Sequence, residues 1–533
     1  MNSHSIKLMQ KCTESYNLLL VLFFLIFSTV LYIIHYKNQL IVRWPIMGKL
    51  LSIIFSAPHI HDWTVDISKA CGGTIVGRGP FFGRLEIIYT CDPRNAKYIL
   101  ATSYNNFSDR QDYSDAFDIF GDGLLTASSN FWTAQRRVAR MTFNSKIVRN
   151  IIAHNGKKVV QDSLLPLLLH FSKDSSSVVD LQDVLMRYMF DTSVDIILGK
   201  RSSYLSTSFP PNEFGKAMND ASEAIFYRHV VPISWWKLSR RLKIGGNEKK
   251  LEAAWKIIDR DIAEYIKVKK EKMAAKGSTK VDEENDLLEV YMTTKDGEKD
   301  ELMLSKMCSD KFFRDTCINF LIAARDSTGS TLSWFFWLIF RNPSVEAKIL
   351  EELEVIVSKK KKKNAMEKHP VMFDADDQIG MVYLHAALCE SLRLYPAVPL
   401  LRKTSTNNDV FPDGTEVSSG MTVIISFYAM GRMEWVWGKD CLEFKPERWI
   451  GEDGKLNPET MSKFFSFSLA PRNCVGKEMA FVLMKLVASA MIYNFHFEVL
   501  EGQNIVPAPA INLRMKNGLM VKVTERVQMH IPG

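Results

Sequence analysis

From Phe312 to Phe340 the chain is mainly apolar and unbroken, and it meets Asn342-Pro343 only after the stretch has ended. Proline there is a stop signal, because it lacks the N–H that a continuing helix needs. At about 1.5 Å per residue, a helix over this stretch crosses most of a domain. The composition supplies the surroundings such a helix needs: 47% of residues are hydrophobic and 24% charged, the balance of a globular protein with a large core. Length alone, at 533 residues, allows three or four domains. No internal repeat or long linker interrupts the chain after about residue 50, so one large, mostly helical domain is the simplest account.

Strand-like pieces are short and fall near 73–76, 85–90 and 422–426. The polar stretch 269–285 reads as a surface connection, and the lysines 359–363 read as a solvated loop. Residues 18–34, LLLVLFFLIFSTVLYII, form an apolar run close to the roughly 17–25 residues that span a bilayer. No small-residue cleavage site follows it, so an anchor is expected in place of a cleaved signal peptide. Lys7 and Lys11 precede the run while Lys37, Arg43 and Lys49 follow it, which places the main body on the cytosolic side. Pro45 then stiffens the exit from the anchor.

The formal net charge of +8 suits an anionic membrane surface or an acidic protein partner. No zinc-finger or RNA-binding signature supports nucleic acid. The eight cysteines are scattered, with no C-x-x-C, as expected of free thiols in a reducing compartment. H-E-x-x-H, G-x-S-x-G and G-x-x-x-x-G-K-[ST] are absent, which leaves zincin, serine-hydrolase and P-loop chemistry without support.

One cysteine has special neighbours, in Phe467-Ser-Leu-Ala-Pro-Arg-Asn-Cys-Val-Gly476. A thiolate that ligates iron needs a loop whose backbone N–H groups point at the sulfur and a dry shell around it. Gly476 lets the chain turn closely into a following helix. Phe467 stands where it can cover the ligand, and the Arg472 guanidinium suits a carboxylate. Earlier in the chain, Glu390-Ser-Leu-Arg393 places an acid and a base three residues apart on one helix face. Pro446-Glu447-Arg448-Trp449 and Trp132-Thr-Ala-Gln-Arg136 add two more arginines in fixed contexts. In the middle of the long apolar stretch lies Ala323-Ala324-Arg325-Asp326-Ser327-Thr328, an acid beside two alcohols. Such a group can relay protons through water. The plain alternative is that the hydroxyls bond back to helix carbonyls and merely bend the helix.

These segments resemble the cytochrome P450 superfamily. The cysteine segment is similar to its F-x-x-G-x-R-x-C-x-G signature, and W-x-x-x-R, E-x-x-R and a P-E-R-F-like segment precede it in the family's order. The oxygen-handling stretch is similar to A/G-G-x-D/E-T-T/S. The chain departs from the family at Ala470, Ala324 and Ser327, where glycine, glycine and threonine are usual. A positive φ at Ala470 would cost on the order of 1 kcal/mol. More narrowly, the chain resembles the plant fatty-acid and alkane hydroxylase group, with mid-chain alkane hydroxylases as the nearest type. Pieces such as Phe117-Asp-Ile-Phe-Gly-Asp-Gly123 and Arg228-His229-Val-Val-Pro232 carry this narrower likeness. Some relatives in alkaloid-making plants couple phenols instead.

The resemblance implies a mainly α fold with small β-sheets, the cytochrome P450 fold, with an N-terminal transmembrane helix. The implied organisation is a luminal 1–17, an anchor at 18–34, a Pro-containing hinge at 35–50 and a catalytic domain at 51–533. It implies haem b (iron protoporphyrin IX) with Cys474 as the iron ligand. Trp132, Arg136, Arg472 and Phe467 would hold or cover the cofactor, and Asp326, Ser327 and Thr328 would handle oxygen and protons. Glu390, Arg393 and Arg448 would form a buried triad behind the haem. NADPH would be used indirectly, through NADPH-cytochrome P450 reductase, since the chain carries no dinucleotide fingerprint. The expected location is the endoplasmic reticulum membrane, single-pass, with the catalytic domain facing the cytosol. Hydroxylation of an apolar long-chain alkane or fatty acid is the first expectation. Oxidative phenol coupling, or another tailoring oxidation of a plant specialised metabolite, is the second. A haem-thiolate isomerase that needs no reductase is disfavoured by Asp326 with Ser327. By family position the pocket candidates are Phe117, Phe120, Leu125, Phe226, Leu321, Val398, Leu400 and Ile511, and His229 is read as a packed or capping histidine.

Overall fold

The computed structural model describes residues 50–78, 86–107, 111–127, 129–174, 176–276, 286–293, 309–361 and 370–526. The expected luminal segment, the anchor and all of the hinge before Leu50 lie outside these residues, as do Cys12 and Cys308. No helix among the described residues is long and apolar enough to cross a membrane.

Eight helices build the site: α1 (Ile60–Cys71), α2 (Ser129–Asn144), α3 (Leu181–Leu198), α4 (Glu213–Val230), α5 (Gly246–Lys276), α6 (Asp310–Phe340), α7 (Val382–Leu394) and α8 (Lys477–Asn494). Helix α6 is the apolar stretch expected from the sequence. Its start is capped by Ser309, whose side chain accepts the Phe312 N–H at 3.2 Å. It ends at Phe340, just before Pro343. Most of its residues are buried on all sides, so it forms the axis of the core. Helix α3 packs along it, and Gly329 permits the close approach: a Cβ there would stand 2.6 Å from the Met186 sulfur.

The strands are peripheral. β1 (Thr74–Arg78), β2 (Glu86–Thr90), β4 (Leu400–Thr404) and β7 (Thr422–Ser426) form a mixed sheet in the order β1-β2-β7-β4, with β2 and β7 parallel. β3 (Val179–Asp180), β9 (Met520–Glu525) and β8 (Phe495–Val499) form an antiparallel sheet, and β5 (Asp409–Val410) pairs with β6 (Glu416–Val417). Two surface expectations are revised. α5 continues through Lys276, so the polar stretch begins as helix. Lys359–Lys361 end a helix that starts at Pro343, and Lys360 is ion-paired to Asp377 at 2.5 Å instead of standing in a solvated loop.

The E-x-x-R pair is a buried network. The Arg393 guanidinium donates to both Glu390 oxygens at 2.7 Å. Arg448 Nε adds a contact to Glu390 Oε1 at 3.3 Å, and the Trp449 indole donates to Oε2 at 2.8 Å. The remaining Arg393 hydrogens go to the carbonyls of Gly431, Cys441 and Glu443. Buried charges persist when each is paired and hydrogen-bonded in this way. The network ties α7 to the 441–449 segment that leads into the cysteine loop.

Candidate active site

Helix α6 is interrupted on one face. Ala323 is exposed and Ala324 and Ser327 are half-buried, although Leu321, Ile322, Arg325, Asp326 and Thr328 are buried around them. Residues can be accessible in the middle of a core helix only if they face an internal space. Cys474 faces such a space as well. Its side chain is accessible, yet the surrounding protein is dense enough that burial raises its thiol pKa. The other described cysteines differ: Cys91, Cys317, Cys389 and Cys441 are packed into the core, and Cys71 lies at the end of α1. Burial pushes the Cys389 thiol up to about 12 on a helix with no opening beside it.

The loop holding Cys474 is built by its own backbone. The Cys474 N–H donates to the Phe467 carbonyl at 2.8 Å, closing the turn. The Gly476 N–H points at the sulfur and opposes the effect of burial, and Arg136 and Lys477 act in the same direction. A Cβ on Gly476 would lie 4.0 Å from the sulfur, an ordinary contact, so space at the sulfur does not by itself require glycine there. Ser468, not Ala470, takes the positive φ, at 59°. The substitution of alanine for the usual glycine therefore carries none of the strain considered from the sequence. Phe467 packs against Phe481 and Phe464, at ring separations of 5.4 and 5.8 Å.

Beside the cysteine stands a cluster of cations. Arg136 of α2 is buried and donates to the Asn473 carbonyl and side-chain oxygen at 2.5 and 2.7 Å. Its Nε is buried without a hydrogen-bond partner. Burial, then Arg140 and Arg472, hold its pKa below the usual range, with Cys474 opposing them. The Arg472 guanidinium lies 4.3 Å over the Trp132 ring and donates to the Tyr104 hydroxyl at 2.9 Å and the Ala127 carbonyl at 3.1 Å. A positive field with an orphaned buried donor, next to an accessible thiol inside the core, fits a planar cofactor that carries carboxylates. Trp132, Arg136, Arg472 and Cys474 are thus brought together. Tyr104 and Asn473 join them, and neither had a sequence signal beyond its neighbourhood.

The chain matches the family Cytochrome P450 over residues 39–523. It belongs to the cytochrome P450 family. Cytochrome P450 86B1 of Arabidopsis thaliana is 40% identical over 92% of this chain and 86% of its own length. Alkane hydroxylase MAH1 of the same plant is 35% identical over 95% of this chain and 98% of its own. Noroxomaritidine synthase 2 of Narcissus pseudonarcissus is 37% identical over 92% of this chain and 93% of its own. The protein is a haem-thiolate monooxygenase, and membership implies haem b and a reductase partner.

In this P450 the acid and alcohol of α6 point differently. The Asp326 carboxylate is buried and accepts from Arg325 at 2.7 Å, and Arg325 also donates to Asn219 of α4 at 3.1 Å. Burial raises the Asp326 pKa, while Arg325 and Arg514 lower it. Ser327 opens on the internal space, but its hydroxyl donates to the Ala323 carbonyl at 2.5 Å. No hydrogen bond joins Asp326 to Ser327, and the back-bonded arrangement is the one present. Thr328 is buried.

The apolar candidates do not form one cluster. Phe120 and Leu321 are buried, and Phe117 stacks on Phe120 at 5.7 Å. Phe226 and Val230 of α4 join Ala57 and Ile60 in a separate small cluster, with Ile511 against it. Leu125 and Val398 are 44% and 37% exposed. The Leu125 N–H is held by Asn319 at 2.9 Å, one turn before Ala323 on α6. The Ala397 carbonyl accepts from Leu513 at 3.0 Å, which joins the 398–400 segment to that of Ile511. His229 is half-buried, 5.0 Å from the Phe117 ring; desolvation, Arg402 and Arg228 lower its pKa to about 3. It is a packed, neutral histidine.

Proposed function

We propose that this P450 hydroxylates a saturated carbon of an elongated apolar molecule of the long-chain alkane or fatty-acid class, with Cys474 as the thiolate ligand. The observation that carries the ligand assignment is the accessible sulfur inside the core, with the Gly476 N–H aimed at it. Trp132, Arg136 and Arg472 would hold the haem propionates, and Phe467 would shield the ligand loop. When bound, the haem supplies dioxygen activation and the oxidising power. The chain's own residues bind substrate against Leu125 and Val398, exclude water with the aromatic segment 117–120, and manage protons along α6. Ser327 and Thr328 are the groups nearest that task. Asp326 would have to exchange its bond to Arg325 before taking part. The catalytic domain is proposed to face the cytosol at the endoplasmic reticulum membrane, held by the 18–34 anchor and reduced by NADPH-cytochrome P450 reductase.

The alkane hydroxylase among the relatives supports the first reading. The noroxomaritidine synthases, at similar identity, support the second, a tailoring oxidation such as phenol coupling. Incubation of the reductase-coupled enzyme with hexadecane, hexadecanoic acid and a panel of phenolic amines under isotopically labelled dioxygen separates them. The expected product carries one labelled oxygen. An unlabelled product that has lost two hydrogens would overturn hydroxylation.

Asp326→Asn is expected to lower the product formed per NADPH consumed and to lower Tm, because Arg325 loses its charged partner. Ser327→Ala removes only a bond to a helix carbonyl, a change of about 0.5–1.5 kcal/mol at most. It should therefore move coupling more than Tm. If coupling is unchanged in both variants, neither side chain serves proton delivery.

A further inference from the structure

Arg228 lies on α4 between Phe226, a pocket candidate, and His229, the histidine packed against Phe117, and is 2% exposed. Four hydrogen bonds engage its guanidinium. Nε and one terminal nitrogen donate to the two oxygens of Glu248 at 2.8 and 2.7 Å. The other terminal nitrogen donates to Asp118 at 2.8 Å and to the Ala116 carbonyl at 3.2 Å. The Trp236 ring covers it at 4.4 Å. Asp118 is also paired with Arg240, so the cluster holds two cations and two carboxylates and is balanced.

The segment joined to α4 in this way is the one that carries Phe117 and Phe120. Its other side is pinned to α6. Arg314 donates to the Ile119 carbonyl, Asn319 donates to the Phe120 carbonyl at 2.9 Å, and Asp315 accepts the Asp122 N–H at 2.9 Å. Gly121 and Gly123 leave no room for a Cβ against Asp315 and Asn319, so that side cannot slide. The attachment to α4 is different: beside the ring contact of His229 on Phe117 at 5.0 Å, its polar bonds are made by one side chain, Arg228, which reaches Asp118, Ala116 and, on α5, Glu248. The bidentate bond to Glu248 fixes the plane of the guanidinium, and from that plane it reaches Asp118 and the Ala116 carbonyl, so that distance and angle are set together, as a point charge could not do.

We propose that Arg228 is a specificity-determining positioning residue, which sets how the Phe117–Phe120 wall of the substrate space stands against the wall carried by α4 at Phe226. This rests on the reading that those aromatic residues face substrate. Arg228 touches no reacting atom and acts through the walls it joins.

The test uses the full-length holoenzyme and two azole probes read by the Soret shift. Imidazole is too small to need either wall, and 1-dodecylimidazole extends along them. Arg228→Met alone leaves the largely covered Glu248 carboxylate without its cation, so the principal variant is Arg228→Met with Glu248→Gln, in which Asp118 keeps Arg240. An unchanged carbon-monoxide difference spectrum, an imidazole affinity within about twofold, and a 1-dodecylimidazole affinity weaker by about tenfold are expected. Unchanged affinity for both probes overturns the proposal, because the walls then hold their spacing without Arg228. Parallel loss of both affinities with loss of the thiolate spectrum also overturns it, by making Arg228 a general stabiliser. Phe117→Ala with the same probes tests the underlying pocket reading separately. If it leaves 1-dodecylimidazole binding unchanged, the pocket assignment fails whatever Arg228 does.

Discussion

Cys474→Ala is expected to abolish the thiolate signature in the carbon-monoxide difference spectrum and to reduce turnover to background. The expected loss is complete because no other described cysteine opens on the internal space. The loop itself should survive, since its closing bond is made by the backbone N–H of residue 474 and the Phe467 carbonyl. Thermal stability without haem should therefore change by only about 1 kcal/mol, within the ordinary range for a single substitution. Cys389→Ala is the control. That thiol is buried on α7, and burial holds it protonated at neutral pH. The variant should lose some packing and keep the thiolate spectrum. The opposite pattern would move the iron ligand to α7.

Glu390→Gln is expected to be the most destabilising single substitution in the protein. It removes one charge and leaves Arg393, at 1% side-chain exposure, without its carboxylate, while Arg448 keeps only Asp440 at 3.1 Å. An uncompensated buried charge costs about 3–5 kcal/mol, a large share of the roughly 5–15 kcal/mol by which a native domain is stable. Little holoenzyme should accumulate, and the urea midpoint of what does should fall. Replacing Glu390 and Arg393 together with methionine should not restore stability. Arg393 also satisfies the carbonyls of Gly431, Cys441 and Glu443, and an apolar pair would orphan them at about 1–3 kcal/mol each. A Glu390→Gln protein with wild-type haem content and urea midpoint would reduce this network to an ordinary ion pair.

What the chain determined by itself is local. The extent of α6 follows from its apolar run, the Ser309 cap and Pro343, all within reach of the backbone they act on. The E-x-x-R pair forms because residues three apart share a helix face. The cysteine loop closes between Phe467 and Cys474, so its residues and their spacing could be read directly. The narrower resemblance likewise rests on contiguous pieces of sequence.

Only the tertiary structure decided how those pieces are used. Periodicity says which way a side chain leaves its helix, but not what waits there. Asp326 and Ser327 are neighbours in the chain, yet they diverge around α6: one meets Arg325 and the packed interior, the other the internal space. Their reading as an adjacent acid–alcohol pair could not foresee that. Tyr104 reaches Arg472 across 368 residues, Arg136 reaches Asn473 across 337, and Arg228 reaches Asp118 across 110. Each contact exists because packing brings remote backbone together and leaves a buried charge that must be satisfied. Ala470 makes the same point in reverse: its departure from glycine looked costly in isolation, but the loop places its positive φ at Ser468.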